Sequence, residues 1–255
     1  MLAQLLVVLA VLVAGIVSAV LVDGDSSDES LQTVASVPSA AAAEKTFRST
    51  FALGIEGAGL TITSSGELFV DNVQHAQAGH VRAPGIGSIE LRQTGDQLYV
   101  RIPPNRVPGK EWISMPASGA GTVSPPDPLQ SLQVLAGAHD VTKVGEEDVN
   151  GTPTTHYSVV VDPAALKSAV AGDPRAAALP PGVLDQAKDV TTDVWVDDQN
   201  RPRRLRVDLK VQAVTVRTAV EFHDYGKPVD VAAPPADQVL TITNPQQLAQ
   251  LLRGG

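Results

Sequence analysis

The chain has no cysteine. That excludes a disulfide framework, a thiolate metal site, a cysteine nucleophile and a lipid-modified cysteine within these residues. Aromatic residues are scarce, at 4%, which argues against stacking platforms for single-stranded nucleic acid. The first 44 residues hold no Lys or Arg but carry Asp23, Asp25, Asp28, Glu29 and Glu44. Beyond them the balance is near neutral, with 19 bases against 23 acids. A polyanion needs a clustered basic face, so no nucleic-acid partner is expected.

Catalytic signatures are also missing. There is no G-x-S-x-G elbow, no P-loop and no G-x-G-x-x-G, and Gly85-Ile86-Gly87 lacks a third glycine. His75, His80, His139, His156 and His223 include no i, i+4 pair, and they read as surface histidines. No carboxylate pair sits in surroundings that would split its two pKa values. Neither an enzyme nor a cofactor is expected.

What is present begins with an apolar run. Leu5–Val22 contains no charge and no proline. As a helix it would reach about 27 Å, close to the hydrocarbon thickness of a bilayer. Two readings stay open for residues 1–22: an uncleaved membrane anchor, or a secretory signal cleaved after Val17-Ser18-Ala19. The anchor is favoured by the length of the run and the missing basic n-region. Both place the rest of the chain on the extracytoplasmic side, at the cell membrane or secreted. Residues 23–43 are acidic and rich in Ser and Ala. They read as a flexible linker spanning about 25 Å, with a short helix over Ser39–Lys45.

Residues 44–255 read as one domain dominated by period-2 alternation. Phe47, Phe51, Leu53 and Ile55 share one strand face, and Leu60 with Ile62 continue the pattern. Further runs are Gly66–Val73, Ser88–Gln93, Gln97–Ile102 and Trp112–Met115. Over 126–138 the period changes: Leu129, Leu132 and Leu135 recur at helical spacing. Strands resume at 139–149, and Asn150-Gly151 signals a type I′ hairpin into Thr154–Val161. That explanation suffices for the Asn150-Gly151-Thr152 sequon. A short helix from Asp162, a loop over 171–182 and one more helical turn over 183–189 are expected. Next come a strand at Val190–Val196, a turn at Asp197–Asn200, and a half-buried strand in which Leu205, Val207 and Leu209 alternate with Arg204, Arg206 and Asp208. Val216–Phe222 is another strand, and Asn244-Pro245 starts a helix with Leu248, Leu251 and Leu252. The total is about nine to eleven antiparallel strands in an α+β fold. A long sheet curling over its few helices leaves an apolar space between the layers. Arg201, Arg203, Arg204 and Arg206 form the one basic cluster; it reads as a solvated face, with an anionic contact as the alternative.

Four stretches carry a resemblance: Leu98–Pro103 with Gly109-Lys110-Glu111-Trp112, His156–Pro163, Val194–Leu209, and Phe222–Pro235. Together they resemble the LolA-like superfamily, specifically the LppX/LprG-type lipoproteins of actinobacteria, although the lipobox cysteine of that family is absent. The resemblance implies a strongly bent antiparallel sheet, a half barrel, whose concave face is covered by helices. It also implies an apolar cavity that takes lipid or acyl chains, for transfer and without catalysis.

Burial of an acyl chain gains about 0.8 kcal/mol per CH₂, so such a ligand needs no polar motif. The expected apolar lining takes Phe51, Leu53, Leu60, Ile62 and Phe69 from the first strands. Ile89, Leu91, Leu98 and Val100 come from the middle of the sheet, and Leu129, Leu132 and Leu135 from the helix. Val194, Val196, Leu205, Val207 and Leu209 come from the late strands. The expected function is a non-catalytic cell-envelope protein binding lipid or an acylated molecule, attached to the membrane through residues 5–22. The alternative is an interaction or sensor module that uses the same fold for an envelope protein partner.

Overall fold

The structure, a computed structural model, describes residues 28–57, 60–83, 87–119, 128–161, 190–211 and 214–243, with 247 and 251. The apolar run Leu5–Val22, the expected helices over 162–170 and 183–189, and Leu248 and Leu252 of the last helix lie outside the described residues. Among the described residues no helix is long and apolar enough to cross a membrane.

Among the described residues twelve strands form one sheet: β1 (Thr46–Gly57), β2 (Leu60–Asp71), β3 (Ala76–Ala83), β4 (Gly87–Thr94), β5 (Gln97–Arg101), β6 (Trp112–Pro116), β7 (Ala138–Val149), β8 (Thr152–Val161), β9 (Val190–Val196), β10 (Pro202–Val211), β11 (Val214–His223) and β12 (Val239–Thr241). Their hydrogen-bonded order is β12-β6-β5-β4-β3-β2-β1-β11-β10-β9-β8-β7. The expectation of nine to eleven strands is therefore corrected to twelve. β12 is three residues long and pairs parallel with β6, so it has neither the length nor the hairpin turn that marks a strand in sequence. The meander pairings from β2 to β6 and from β7 to β11 are antiparallel. Asn150 (φ 54) and Gly151 (φ 81) both sit in the left-handed region, as a type I′ turn requires, and they close the β7–β8 hairpin.

The chain divides into two compact units. The first holds β7–β11 with the adjoining halves of β1 and β2, together with helix α1 (Asp28–Ala43), helix α2 (Pro128–Leu132) and the 3₁₀ segment Gln133–Gly137. Where the sequence suggests a flexible linker through residue 43, the chain is helical from Asp28. Ser30, Val34, Val37 and Ala41 form a buried stripe at four- and three-residue spacing, which is enough for α1 to dock on β7, β9 and the 3₁₀ segment. The stripe is built from small side chains and interrupted by Pro38, so its composition resembles a tether. The expected amphipathic helix over 126–138 is only one turn of α-helix before the chain tightens to 3₁₀.

The second unit holds β3–β6 and β12 with the remaining halves of β1 and β2. Its core is Leu91, Leu98, Val100, Ile102, Ile113, Met115 and Ile242, with Val81, Ile89, Val107, Leu240 and Leu251 packed around it. One row crosses five strands: Leu68, Gly79, Leu91, Val100 and Ile113 are successive cross-strand partners. At Gly79 a Cβ would lie 2.0 Å from the Glu67 carbonyl oxygen and 2.9 Å from a Leu68 methyl, so the row closes only around a glycine.

Candidate functional site: the covered sheet face and the hollows at its edges

In the first unit the sheet presents two apolar rows to α1 and the 3₁₀ segment. One runs Tyr157, Val194, Leu205, Val220; the other runs Val141, Val159, Thr192, Val207, Thr218. All nine are buried. Val34, Val37, Ala41, Leu132, Val134 and Leu135 are also buried, at 0–1% exposure. Of the residues expected to line a cavity, Leu132, Leu135, Val194, Leu205 and Val207 thus lie within this layer. Leu53 and Val196 are buried, and Phe51 and Leu129 are half-buried. The side chains of Leu60, Ile62 and Leu209 lie outside those described. The Thr192 hydroxyl is enclosed without a hydrogen-bond partner.

In the second unit Leu91, Leu98 and Val100 belong to the core, and Ile89 sits at its fringe. Phe69 does not join them. Leu68 and Val70 take the buried positions of β2, so by strand alternation Phe69 faces the other way. The Arg48 guanidinium lies 4.7 Å from its ring centroid.

The opposite face of each unit carries a tryptophan clasped by charged groups, an arrangement sequence reasoning missed. In the second unit Arg92 and Arg101 lie 4.7 and 5.6 Å from the Trp112 ring centroid. Glu90 accepts from Arg92 at 3.0 Å and from Arg101 at 2.9 Å, and Glu111 accepts from Arg101 at 2.9 Å. Burial alone would raise the Glu90 carboxyl, but the two guanidinium groups outweigh it and hold it below the usual carboxylate range. In the first unit Arg204 and Arg206 flank Trp195, whose indole N–H donates to Glu147 at 2.9 Å. That bond holds the Glu147 carboxyl low. His156, read as a surface histidine, is instead half-buried between Glu147 and Asp193, at 3.0 and 3.1 Å. The available signal was an arginine two residues from another arginine on a strand beside a tryptophan strand.

The basic cluster is engaged within the fold. Asp197, whose side chain is 1% exposed, accepts from Arg201 and Arg203 at 2.9 and 2.8 Å. It also accepts from the backbone N–H groups of Gln199 and Arg201, both at 3.0 Å. Arg201 reaches on to Glu44 at 3.0 Å, tying the end of α1 to the β9–β10 turn. Arg204 pairs with Glu221 at 2.7 Å.

Two hollows open at strand ends. One, of about 390 Å³, lies in the first unit among Glu146, Glu147, Asp148, Thr154, Asp197 and Asp198. The other, of about 940 Å³, lies in the second unit, and Ile89 is the one residue of the expected lining that borders it. Among the described residues no group of three or more His, Asp or Glu side chains is placed to hold a metal ion.

A family model described as LppX_LprAFG lipoprotein matches residues 81–231. A 31.2 kDa protein of Streptomyces griseus, from the rplA-rplJ intergenic region, is 30% identical over 205 residues, a match covering 73% of this chain and 65% of that one. This chain thus spans about two thirds of that relative's length. The crystal structure of lipoprotein LppX from Mycobacterium tuberculosis superposes with a TM-score of 0.54 at 19% identity, covering 81% of this chain and 100% of the other. LprF from Mycobacterium bovis gives a TM-score of 0.54 at 16% identity, covering 83% and 99%. Both share the fold. With more than half of its length matched by the family model, and with the ordered late motifs from Val194 to Val231 inside that match, the chain belongs to the LppX_LprAFG lipoprotein family.

Proposed function

We propose that this protein is a non-catalytic, extracytoplasmic envelope protein that binds lipid or acyl chains on the apolar face of a bent sheet, beneath its helices, and passes them on. The observation that carries this reading is the apolar layer of the first unit. Two rows of Val, Leu, Thr and Tyr cross four or five strands, and none of their buried members is a carboxylate, histidine, lysine or arginine. Membership of a lipoprotein family supports it. The cover, α1, is made of small side chains, so moving it aside forfeits less dispersion energy than moving a helix of Leu and Phe would. In this reading the apolar run Leu5–Val22 attaches the protein to the membrane.

The test is extraction and mass spectrometry of lipid that co-purifies with the full chain from an actinobacterial host. A stoichiometric acyl lipid is the expected result; a preparation repeatedly free of lipid overturns the reading.

A second reading, an envelope interaction or sensor module, draws on a different observation. Leu98, Val100, Leu132, Leu135 and Val194 are all at 0% exposure, as in a closed core. A lipid-free protein that captures a defined envelope partner by crosslinking would favour it.

A further inference from the structure

Thr192 stands in the middle of one apolar row of the first unit. Its direct cross-strand partners are Val159 on β8 and Val207 on β10, both buried at 0–1% exposure. Directly paired residues project from the same face of a sheet. The Thr192 side chain therefore enters the layer covered by α1, which packs against β9. Its own exposure is 0%. Among the described residues its Oγ1 has no hydrogen-bond partner.

That hydroxyl is out of keeping with its surroundings. β9 is an inner strand, laddered to β8 on one side and to β10 on the other, so its own sheet leaves Oγ1 no free carbonyl. Valine has nearly the same shape and suits a strand as well. It would also avoid the desolvation cost of an enclosed hydroxyl. The neighbouring positions of the row, Val141, Val159 and Val207, are all valine. Thr218, the other threonine of the row, has a partner. Thr192 is thus an unused donor flanked by hydrocarbon.

The layer restricts what could use that donor. None of the buried members of the two rows carries a charge, so a charged head group would enter uncompensated. An acyl chain is apolar along its length and carries one neutral polar group where it is joined to its lipid, a carbonyl that accepts and cannot donate. A buried hydroxyl donor complements that group, in a place of low dielectric where a hydrogen bond counts for more than in water. An ether-linked chain lacks the carbonyl.

We propose that Thr192 donates to the ester carbonyl of an acyl chain bound beneath α1, and so makes this layer prefer ester-linked lipid over ether-linked lipid with the same chains. The proposal rests on the acyl-binding reading and adds the linkage class and the residue that reads it.

The full chain is reconstituted in vesicles of diether phosphatidylcholine containing one of two photoactivatable phosphatidylcholines, identical in head and chains but joined by ester or by ether bonds. Labelled peptides are then mapped. In the wild type the ester probe is expected to label α1 and β9 about fivefold more than the ether probe, the worth of one net hydrogen bond. Thr192→Val is expected to bring that ratio close to one. Thr192→Ser, which keeps the hydroxyl, is expected to retain most of it. A urea midpoint for Thr192→Val at or above that of the wild type, with the ratio unchanged, is the mark of a purely structural threonine and overturns the proposal. Equal labelling by both probes in the wild type overturns it too, whether or not Thr192→Val folds. Labelling confined to the second unit overturns it while leaving acyl binding intact. Absence of labelling anywhere above a heat-denatured control overturns both.

Discussion

His156 lies flat on Trp195, with ring centroids 4.1 Å apart and planes 13° from parallel. The two are direct cross-strand partners on β8 and β9. Glu147 on β7 accepts from the Trp195 indole and also faces His156. Three strands are thus joined by side chains as well as by the backbone ladder.

Trp195→Phe keeps most of the ring and removes the N–H. It should cost about 1–2 kcal/mol, the worth of one hydrogen bond to a charged group plus part of a stack. Trp195→Ala should cost about 3–5 kcal/mol. Urea midpoints read both, and a neutral Trp195→Phe would mean that the bond to Glu147 contributes nothing.

Asp197→Asn should destabilise the protein by about 3 kcal/mol at neutral pH, because Arg203 and Arg201 lose a buried counter-charge. Burial pushes the Asp197 carboxyl up. Donation from the backbone of Arg201 and Gln199 and from both guanidinium groups outweighs it, so the carboxyl titrates below its ordinary value. A depressed folded-state value gives stability that is complete above the unfolded value of about 3.9 and lost as pH falls through the folded one. Melting temperatures of wild type and Asp197→Asn should therefore approach one another as the pH falls below about 4. A gap between the two proteins that stays constant throughout acid unfolding would contradict this.

α1 should behave as part of the fold. Val37→Ala removes two buried methyl groups and should cost about 2 kcal/mol. Amide protons from Thr33 to Ala43 should exchange at least a hundredfold more slowly than in a free peptide of the same sequence. Exchange at free-peptide rates would return this segment to the status of a tether.

Gly79→Ala should be severe, about 3 kcal/mol or more, since the new methyl meets a backbone oxygen that cannot rotate away. Gly54→Ala, with open space around its Cβ position, serves as the control and should be nearly silent. Similar denaturation midpoints for the two variants would refute the close approach of β2 and β3.

Much of the sheet was legible because alternation carries its own direction. Leu98, Val100 and Ile102 are buried while Tyr99 and Arg101 are not, and the same holds for Leu205 and Val207 against Arg204 and Arg206. Asn150-Gly151 was legible because two adjacent positive φ angles favour that pair. α1 was hidden because Ser, Val and Ala form a weak stripe among acids and serines. Phe69 misled because its size outweighed the phase set by Leu68 and Val70. The hollow beside Lys110 carries no motif: its walls come from a proline-rich turn, a strand start and the segment before β12, which only folding brings together.

The order of strands leaves β7 at one margin of the sheet, with a twelve-residue backbone that no described strand covers on its far side. Such a margin invites stacking of one molecule on the next. Here the strand slips register twice, between Ala138 and Asp140 and again between Lys143 and Gly145. Asp140, Lys143, Glu146, Glu147 and Asp148 stud it with charge, and all are exposed. The kinks and charges make it a poor template for an incoming chain, so copies of the protein at high local concentration stay apart.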